Sequence, residues 1–199
     1  MERLTTLTSL IVNQKKEWGE IVTGFETKNK YAVSDIQGQQ LYFAAERKGS
    51  LLARLFLKAN RPFYLVILDN EGQTKMSVRR PFRFFFHEAT VSDSDGKVLG
   101  VIKKNFSIIS KKYTLFDQRG KELYTLNGPL LKPWTFHIRK QSDDVGKITK
   151  KWSGLLKETF SDADNFGIEF PANIDNETKA FLLGTVFLID FVHFENKGD

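Results

Sequence analysis

The feature that most constrains the fold is an apolar segment near the end of the sequence, residues 180–194. It lies within a predicted helix over 179–195, four to five turns long, with Asp175 or Asn176 as its N-cap. Apolar side chains occur all round this helix, and such a helix must be buried on every side. Its fifteen residues fall short of the roughly 20 that an α-helix needs to cross a bilayer. We therefore expect the protein interior, rather than lipid, to surround it.

The rest of the sequence is punctuated by Asp/Asn/Gly turns, at 35–38, 69–72, 93–96, 117–120 and 142–146. These residue types tolerate the positive φ angles and local side-chain hydrogen bonds that chain reversals need. From Gly72 to Gly146 the glycines recur about every 25 residues, which leaves room for two strands and a second loop each time. This rhythm indicates antiparallel hairpins, with ten to twelve strand candidates between Trp18 and Phe170.

Between the turns, apolar residues alternate as they do in strands. Trp134, Phe136 and Ile138 would share one face, while the run Phe63–Leu68 is apolar on both faces and indicates a strand covered on both sides. About a dozen strands close into a barrel whose lumen admits a helix. We predict a mainly β, single-domain fold over 1–199, a closed antiparallel barrel of about twelve strands enclosing the hydrophobic C-terminal α-helix. The helix residues assigned to its core are Phe181, Leu182, Leu183, Val186, Phe187, Ile189, Asp190 and His193.

Composition excludes several classes of site. The sequence has no cysteine, which excludes disulfides, thiolate metal sites, cysteine nucleophiles and S-acylation. It has 30 Lys and Arg against 24 Asp and Glu, and the net charge of +6 suits an anionic membrane surface or nucleic acid. Phosphate-loop, dinucleotide, serine-hydrolase and paired-histidine motifs are missing from the sequence. We expect no enzyme activity and no small-molecule substrate.

Seven segments occur in a characteristic order. They read TGFETKNKY (23–31), LYFAAE (41–46), RPF (61–63), ILDN (67–70), GKITKKWSG (146–154), DADNFGIEFP (162–171) and FLIDF (187–191) with FE (194–195). Together they resemble the phospholipid scramblase family of the Tubby-like (LURP-one-related) superfamily, from about residue 8 to residue 195. The resemblance implies a Tubby-like fold, a twelve-stranded barrel around a hydrophobic helix. It also implies calcium-stimulated, ATP-independent, bidirectional movement of phospholipids between leaflets.

The resemblance leaves a second function open. Related Tubby-like domains bind phosphoinositides and some scramblases bind DNA, so the alternative is a soluble binding module for anionic lipid, nucleic acid or protein without flip activity. Many scramblases carry cysteines that take palmitate, and this sequence has none. We expect non-covalent contact with an anionic phospholipid membrane surface. The expected location is intracellular, peripheral or conditionally inserted at the plasma membrane, and not secreted.

The resemblance also implies a calcium site between residues 162 and 173. The implied ligand positions fall on Asp162, Asp164, Phe166, Ile168, Phe170 and Asn173. Calcium takes six to eight oxygen ligands with carboxylates supplying charge, and this set offers two carboxylates. We expect weak Ca²⁺ binding, on the order of 10⁻⁴–10⁻³ M. The alternative is a turn at 161–165 that leads into a core strand, whose carbonyls would be committed to the sheet.

Three stretches are candidates for contact with lipid. A cationic strand edge beside an aromatic ring suits lipid headgroups, and its residues are Lys147, Lys150, Lys151 and Trp152. A short amphipathic helix over 51–58 would contribute Leu51, Leu52, Leu55 and Phe56. The segment 82–86 would place aromatic rings in the membrane interface, namely those of Phe82, Phe84 and Phe85. The alternatives are a solvated face for the basic stretch and core packing for the other two.

Asp190 and His193 are the ionisable residues of the apolar segment, three positions apart on one helix. Such a pair would serve as a proton or lipid relay. Alternatively, the two side chains satisfy each other or strand carbonyls near the barrel mouth, since buried polar groups need partners.

Overall fold

The structure is a computed structural model, and it describes residues 1–15, 30–47, 60–83, 86–132, 134–150 and 165–194. A short 3₁₀ helix, Glu2–Leu4, precedes the sheet, and one α-helix, α1 (Asn176–His193), follows it. The strands are β1 (Ser9–Gln14), β2 (Lys30–Ser34), β3 (Gln40–Glu46), β4 (Phe63–Leu68), β5 (Thr74–Arg80), β6 (Glu88–Asp93), β7 (Val98–Asn105), β8 (Ser110–Asp117), β9 (Glu122–Pro129), β10 (Thr135–Lys140), β11 (Asp143–Lys150) and β12 (Asn165–Glu169).

The twelve strands form one closed antiparallel barrel in which each strand pairs with its neighbours in sequence and β1 closes the ring against β12. We call the end of the barrel at which α1 ends the upper rim, and the end at which α1 begins the lower rim. The predicted fold class is confirmed. The sequence candidates started at Trp18 and therefore missed β1, because its apolar residues are buried on both faces and do not alternate.

Four lower-rim hairpins repeat one turn, which starts at Asp35, Asp69, Asp93 or Asp117. In each turn the Asp side chain accepts the backbone N–H groups two and four residues later, at 2.8 to 3.0 Å. The glycine three residues after each Asp has a φ between 78° and 86°, which other residues rarely adopt. The Gly N–H donates to the Asp carbonyl oxygen at 3.0 to 3.2 Å, and the Asp N–H donates to the carbonyl oxygen four residues later at 2.9 to 3.0 Å. This is the pattern of a three-residue hairpin loop that ends in a glycine bulge.

The prediction of a fifth turn at 142–146 is wrong. The chain reverses at Gln141, whose φ is 58°, and Asp143–Lys150 is strand β11. Gly146 lies within this strand, where a Cβ would come within 2.4 Å of the Glu169 carbonyl oxygen. The glycine therefore permits close approach between neighbouring backbones rather than a turn.

Helix α1 fills the lumen of the barrel. Every residue from Lys179 to Phe191 is buried, and His193 at the upper rim is half-buried. Asp175 is the N-cap, and its Oδ1 accepts the Thr178 N–H at 2.7 Å. Together with the inward side chains of the strands, the helix forms one continuous apolar core.

Two glycines set the distance between helix and wall. A Cβ on Gly184 of α1 would lie 2.7 Å from Val91 Cγ2 on β6 and 3.3 Å from Val78 Cγ2 on β5. A Cβ on Gly100 of β7 would lie 2.6 Å from the Phe181 ring. The helix therefore sits closest to β5, β6 and β7, where small residues leave room for it.

The wall is apolar on its outer face in one sector. Phe43, Ala45, Val66 and Leu68 form a second buried cluster outside the lumen, so the prediction that Phe63–Leu68 is covered on both faces is correct. The prediction that Trp134 joins a strand face is wrong. It precedes β10 and is 44% exposed at the upper rim.

The N-terminal segment closes the lower rim. Leu4 is fully buried, and the Lys179 ammonium donates to the Leu4 and Thr5 carbonyl oxygens at 2.8 and 2.9 Å. Asn176 Nδ2 donates to Thr5 Oγ1 at 2.8 Å. The start of α1 is thus bound to the beginning of the chain as well as to the barrel.

We predict that Gly184→Ala destabilises the protein by about 1–3 kcal/mol, because the added methyl meets stiff valine side chains in a packed core. The loss should exceed the roughly 1 kcal/mol that alanine gains over glycine as a helix former. Urea unfolding followed by circular dichroism measures it. In the double variant Gly184→Ala/Val91→Ala the two losses should be less than additive, and strict additivity would contradict the proposed contact.

Candidate functional site at the upper rim

Charged side chains replace apolar ones where the inward faces of the strands reach the upper rim. The alternation that places Ile102 and Ile148 in the core continues to Lys104 and Lys150. The inward residues Glu46 and Arg80 occupy the ends of β3 and β5 and are buried. The upper rim is therefore a ring of ionisable groups above the carboxyl end of α1.

A bidentate ion pair anchors one side of this ring. Arg61 Nη1 and Nη2 donate to the two carboxylate oxygens of Glu46, the second at 3.1 Å. The Arg61 guanidinium carbon lies 4.2 Å from the centre of the Phe191 ring, and that of Arg80 lies 5.2 Å from it. Phe191 of α1 thus binds two buried guanidinium groups by cation–π contacts, which are strongest when desolvated.

The polar residues of α1 are held by strand side chains. Tyr31 donates its hydroxyl proton to Asp190 Oδ2 at 2.7 Å, and the Lys150 ammonium lies 3.6 Å from Asp190 Oδ1. A hydrogen bond of 2.7 Å joins the Tyr113 hydroxyl to His193 Nε2. The sequence interpretation paired Asp190 and His193 with each other or with strand carbonyls, and it did not include these two tyrosines.

Arg80 and Lys104 bring positive charge together beside His87 inside the rim. Arg80 Nη2 donates to His87 Nδ1 at 2.5 Å, and because a guanidinium cannot accept, this nitrogen is unprotonated. Burial, followed by repulsion from Arg80 and Lys104, lowers the pKa of His87 to about 4. Burial and the charge of Arg80 also lower the pKa of Lys104. Both shifts show that the interior of the rim disfavours further positive charge.

Two ammonium groups cover the end of the helix. Lys111 Nζ lies 5.3 Å and Lys150 Nζ 4.5 Å from the centre of the Phe194 ring. Phe194 is the C-cap of α1, so these cations lie beside the negative end of the helix dipole. The rim therefore combines aromatic rings, a helix carboxyl end and several basic side chains in one place.

The loops above this ring are apolar. Of the ten large hydrophobic residues that are exposed in the described part of the chain, eight lie in three upper-rim connections. They are Phe82 and Phe86 after β5, Phe106, Ile108 and Ile109 after β7, and Leu130, Leu131 and Trp134 after β9. The other two, Ile36 and Val98, lie at the lower rim.

The described positions of the predicted calcium set do not converge. Phe166 and Ile168 lie in β12, which pairs with β1 and β11, so their carbonyls are committed to the sheet and their side chains to the core. Phe166 packs on Phe194 at the upper rim, whereas Asn173 lies beyond the other end of β12. The strand between Phe166 and Phe170 spans about 13 Å, so one ion cannot bind these positions together. Asp162 and Asp164 lie outside the described residues.

The predicted basic face is also divided. Lys147 points outward and pairs with Glu169 at 3.0 Å, while Lys150 points into the rim. The predicted strand edge is not an edge, because β11 pairs with β10 and β12.

Of the predicted aromatic lipid contacts, Phe82 is described and is 37% exposed. The remaining predicted lipid contacts lie outside the described residues, and they are Leu51, Leu52, Leu55, Phe56, Phe84, Phe85, Lys151 and Trp152.

Sequence reasoning missed most of the rim. The rim residues that the structure adds to the predicted ones are Tyr31, Glu46, Arg61, Arg80, His87, Lys104, Lys111 and Tyr113. One signal was available for part of this set, because Arg80, Lys104 and Lys150 fall on the inward phase of strands that are otherwise apolar. The partners of these residues come from distant strands, and a single sequence does not reveal them.

Two negative findings concern the described residues alone. Among them, no helix combines the length and apolarity that a membrane span requires. Within the same ranges, no three carboxylate or imidazole side chains cluster closely enough to hold a metal ion.

Comparison with known proteins gives a consistent family. The family model described as Scramblase matches residues 1–196. The chain is 36% identical to phospholipid scramblase 1 of Rattus norvegicus, covering 100% of this chain and 63% of the rat protein. It is 34% identical to phospholipid scramblase 1 of Homo sapiens (100% and 66%) and 35% identical to phospholipid scramblase 2 of Bos taurus (98% and 71%). The chain thus spans about two thirds of the length of these relatives.

A solved structure supports the fold. The chain resembles an Arabidopsis thaliana protein determined by X-ray crystallography, with a TM-score of 0.52 and 12% sequence identity. The match covers 94% of this chain and 95% of the plant protein. At this identity the likeness concerns the fold alone.

We predict that His87 makes stability depend on pH. Its folded pKa is about 4, below the value of about 6.5 expected in the unfolded chain. The unfolded state therefore takes up a proton first, and stability falls as the pH decreases from about 6.5 to about 4. The loss is about 3 kcal/mol. His87→Asn keeps an acceptor for Arg80 without titrating, so its urea midpoint should vary less over this range. An unchanged pH dependence would contradict the prediction.

Proposed function

The chain belongs to the scramblase family, and from this premise we propose that it binds anionic phospholipid membranes at its upper rim and moves phospholipids between leaflets. The movement is bidirectional and independent of ATP, and calcium stimulates it. Relatives named phospholipid scramblase support the choice of substrate. The protein would associate with the membrane peripherally, without covalent lipid on cysteine, since the sequence contains none.

The segregation of charge between the two rims carries the proposal. Basic residues dominate the upper rim in the described ranges, where the acidic residues are Glu46, Glu88 and Asp190. Four lower-rim hairpins begin instead with an aspartate. A basic side chain near an anionic bilayer contributes about 1 kcal/mol of attraction. The field of the protein would therefore orient it with the upper rim toward the membrane.

The buried helix favours a surface mechanism. Burial of each large apolar side chain of α1 stabilises the folded protein by roughly 1.5–3 kcal/mol. Hydrogen bonds also hold both ends of α1. Lys179 of the helix donates to the Leu4 carbonyl oxygen at the lower rim, and Tyr31 and Tyr113 bond to Asp190 and His193 at the upper rim. Releasing α1 into lipid would break all these contacts. We propose that the closed barrel perturbs lipid packing from the membrane surface.

A binding module without flip activity is the second candidate. The same cationic rim would hold a phosphoinositide or another anionic headgroup, and the bound helix is equally compatible with a rigid adaptor. Nucleic acid would use the same charges. Lipid movement separates this candidate from the first one.

A flip assay tests the activity. Purified protein is added to vesicles that carry a fluorescent phospholipid in both leaflets, and dithionite reports how fast inner-leaflet lipid becomes accessible. We expect acceleration that increases with calcium and needs no nucleotide. Normal binding to anionic vesicles with an unchanged flip rate at every calcium concentration would favour the binding module.

Neutralising exposed upper-rim cations tests the orientation. The variant changes three exposed basic residues of this rim, Arg83→Gln, Lys112→Gln and Lys132→Gln. Losing three charges at about 1 kcal/mol each should weaken binding to anionic vesicles about 100-fold. Co-sedimentation at two salt concentrations measures the change and its salt dependence.

A matched control removes the same charge from the lower rim. It changes three exposed residues there, Arg119→Gln, Lys121→Gln and Lys140→Gln. Its affinity should stay close to that of the wild type. Equal loss in both triple variants would mean that net charge, rather than the upper rim, determines binding.

Calcium binding remains a prediction that rests on Asp162 and Asp164. Isothermal titration calorimetry of the wild type should give a dissociation constant on the order of 10⁻⁴–10⁻³ M. Asp162→Asn/Asp164→Asn should remove the heat and the calcium stimulation of flipping, because both carboxylates of the implied ligand set are lost. Equal heats in wild type and variant would exclude these two residues as the site.

A further inference from the structure

The exposed apolar residues of the upper rim are unusual in number and in placement. Single exposed hydrophobic side chains are ordinary, but contiguous ones mark an interaction surface. Leu131 is 95% exposed, and Phe106, Ile108 and Ile109 are each 80% exposed or more. Side chains in this state contribute nothing to the barrel core, so their contacts must be sought outside the barrel.

The three connections that carry them are neighbours. Their described residues are 81–83 with 86–87, 106–109, and 130–132 with 134, which we call the apolar loops, and the strands that they join are adjacent in the barrel. Ser110 pairs with Pro129, so Ile109 and Leu130 each adjoin one cross-strand pair. The Cα atoms of such a pair lie about 5 Å apart. These two loops therefore form one continuous apolar edge.

The third loop joins the same edge. The Lys104 N–H donates to the His87 carbonyl oxygen at 2.7 Å. Phe86 directly precedes His87, and Phe106 comes two residues after Lys104, so these two residues lie at neighbouring positions of the rim. On the far side, the Lys150 N–H donates to the Trp134 carbonyl oxygen at 2.7 Å. Aromatic and aliphatic tips thus follow half of the rim, from β5 to β10.

The charges beside the apolar loops identify their partner. Arg83 and Lys132 lie within the loops, and Lys112 lies three residues after Ile109, the end of one of them. Apolar side chains with basic residues beside them in the same loops match the two layers of an anionic bilayer surface, where acyl chains lie below phosphate groups. A second copy of this chain fits less well, because its own basic rim would face the same charges.

We infer that the apolar loops are the membrane-inserting element of the protein. Their tips enter the interfacial region of an anionic bilayer and bring the basic residues of the rim to the level of the phosphates. This inference deepens the proposed function and rests on it, since it names the residues that enter the membrane. It keeps Phe82 from the predicted segment 82–86 and adds 106–109 and 130–132 with 134, whereas the other predicted segment, 51–58, lies outside the described residues.

Charge substitution at the loop tips gives the first test. Leu131→Glu and Ile109→Glu should each lower partitioning into phosphatidylserine-containing vesicles about tenfold or more, because an apolar contact is lost and a repelled charge is added. The matched controls are Ile36→Glu and Val98→Glu, which are 42% and 37% exposed at the lower rim in the wild type. Both controls should bind like the wild type.

A cysteine-free sequence gives a second test that does not depend on affinity. Leu131→Cys and Ile36→Cys each create one labelling site for an environment-sensitive dye. On anionic vesicles, the dye at position 131 should shift to the blue and be quenched by brominated lipids. The dye at position 36 should remain unchanged.

The outcomes separate the two proposals. If the wild type binds no anionic vesicle, the proposed function fails and the inference fails with it. If the wild type binds but the dye at position 131 does not respond, the inference alone is wrong. Concentration-dependent association without lipid that Leu131→Glu removes, measured by sedimentation velocity, would assign the loops to a second copy and also overturn the inference.

Discussion

The burial of α1 in the lumen is the constraint on which the structure depends. A helix that is apolar on every side needs a complete ring of apolar partners, and only a closed sheet provides one within a single chain. This requirement explains why β1 pairs with β12, since an open edge would expose the helix. It also explains Gly184 and Gly100, where a side chain would prevent the wall from reaching the helix.

The closed barrel has two ends, and the residues at these ends differ in charge and in apolarity. The lower rim is covered by the N-terminal segment, and four of its hairpins turn on aspartate, so it is closed and locally acidic. The upper rim receives the negative end of the helix dipole, which favours the basic groups of Lys111 and Lys150. In the described ranges, the upper-rim connections do not share the short aspartate turn of those four hairpins. Eight of the ten large hydrophobic residues that are exposed in the described ranges therefore lie at the upper rim.

The elements that could be predicted from sequence are those that local patterns determine. The four Asp-x-x-Gly turns, the alternation of Phe136 and Ile138, and the all-round apolar helix each lie within a short window. β1 was missed because burial on both faces removes alternation. The turn at 142–146 was wrong because Gly146 is there for close packing. The rim was missed because Arg61 meets Glu46 and Phe191 only after the barrel closes.

Charge and apolarity reinforce each other at the upper rim. Basic residues alone would hold the protein above an anionic surface, within a distance set by salt screening. Exposed apolar residues alone would enter any interface, including that of another protein. In the proposed insertion of Leu131 and Ile109, the basic residues of the same loops would come close to phosphate, where their attraction is greatest. Each contribution would thus raise the other, and the proposed action on lipid would leave the internal helix in place.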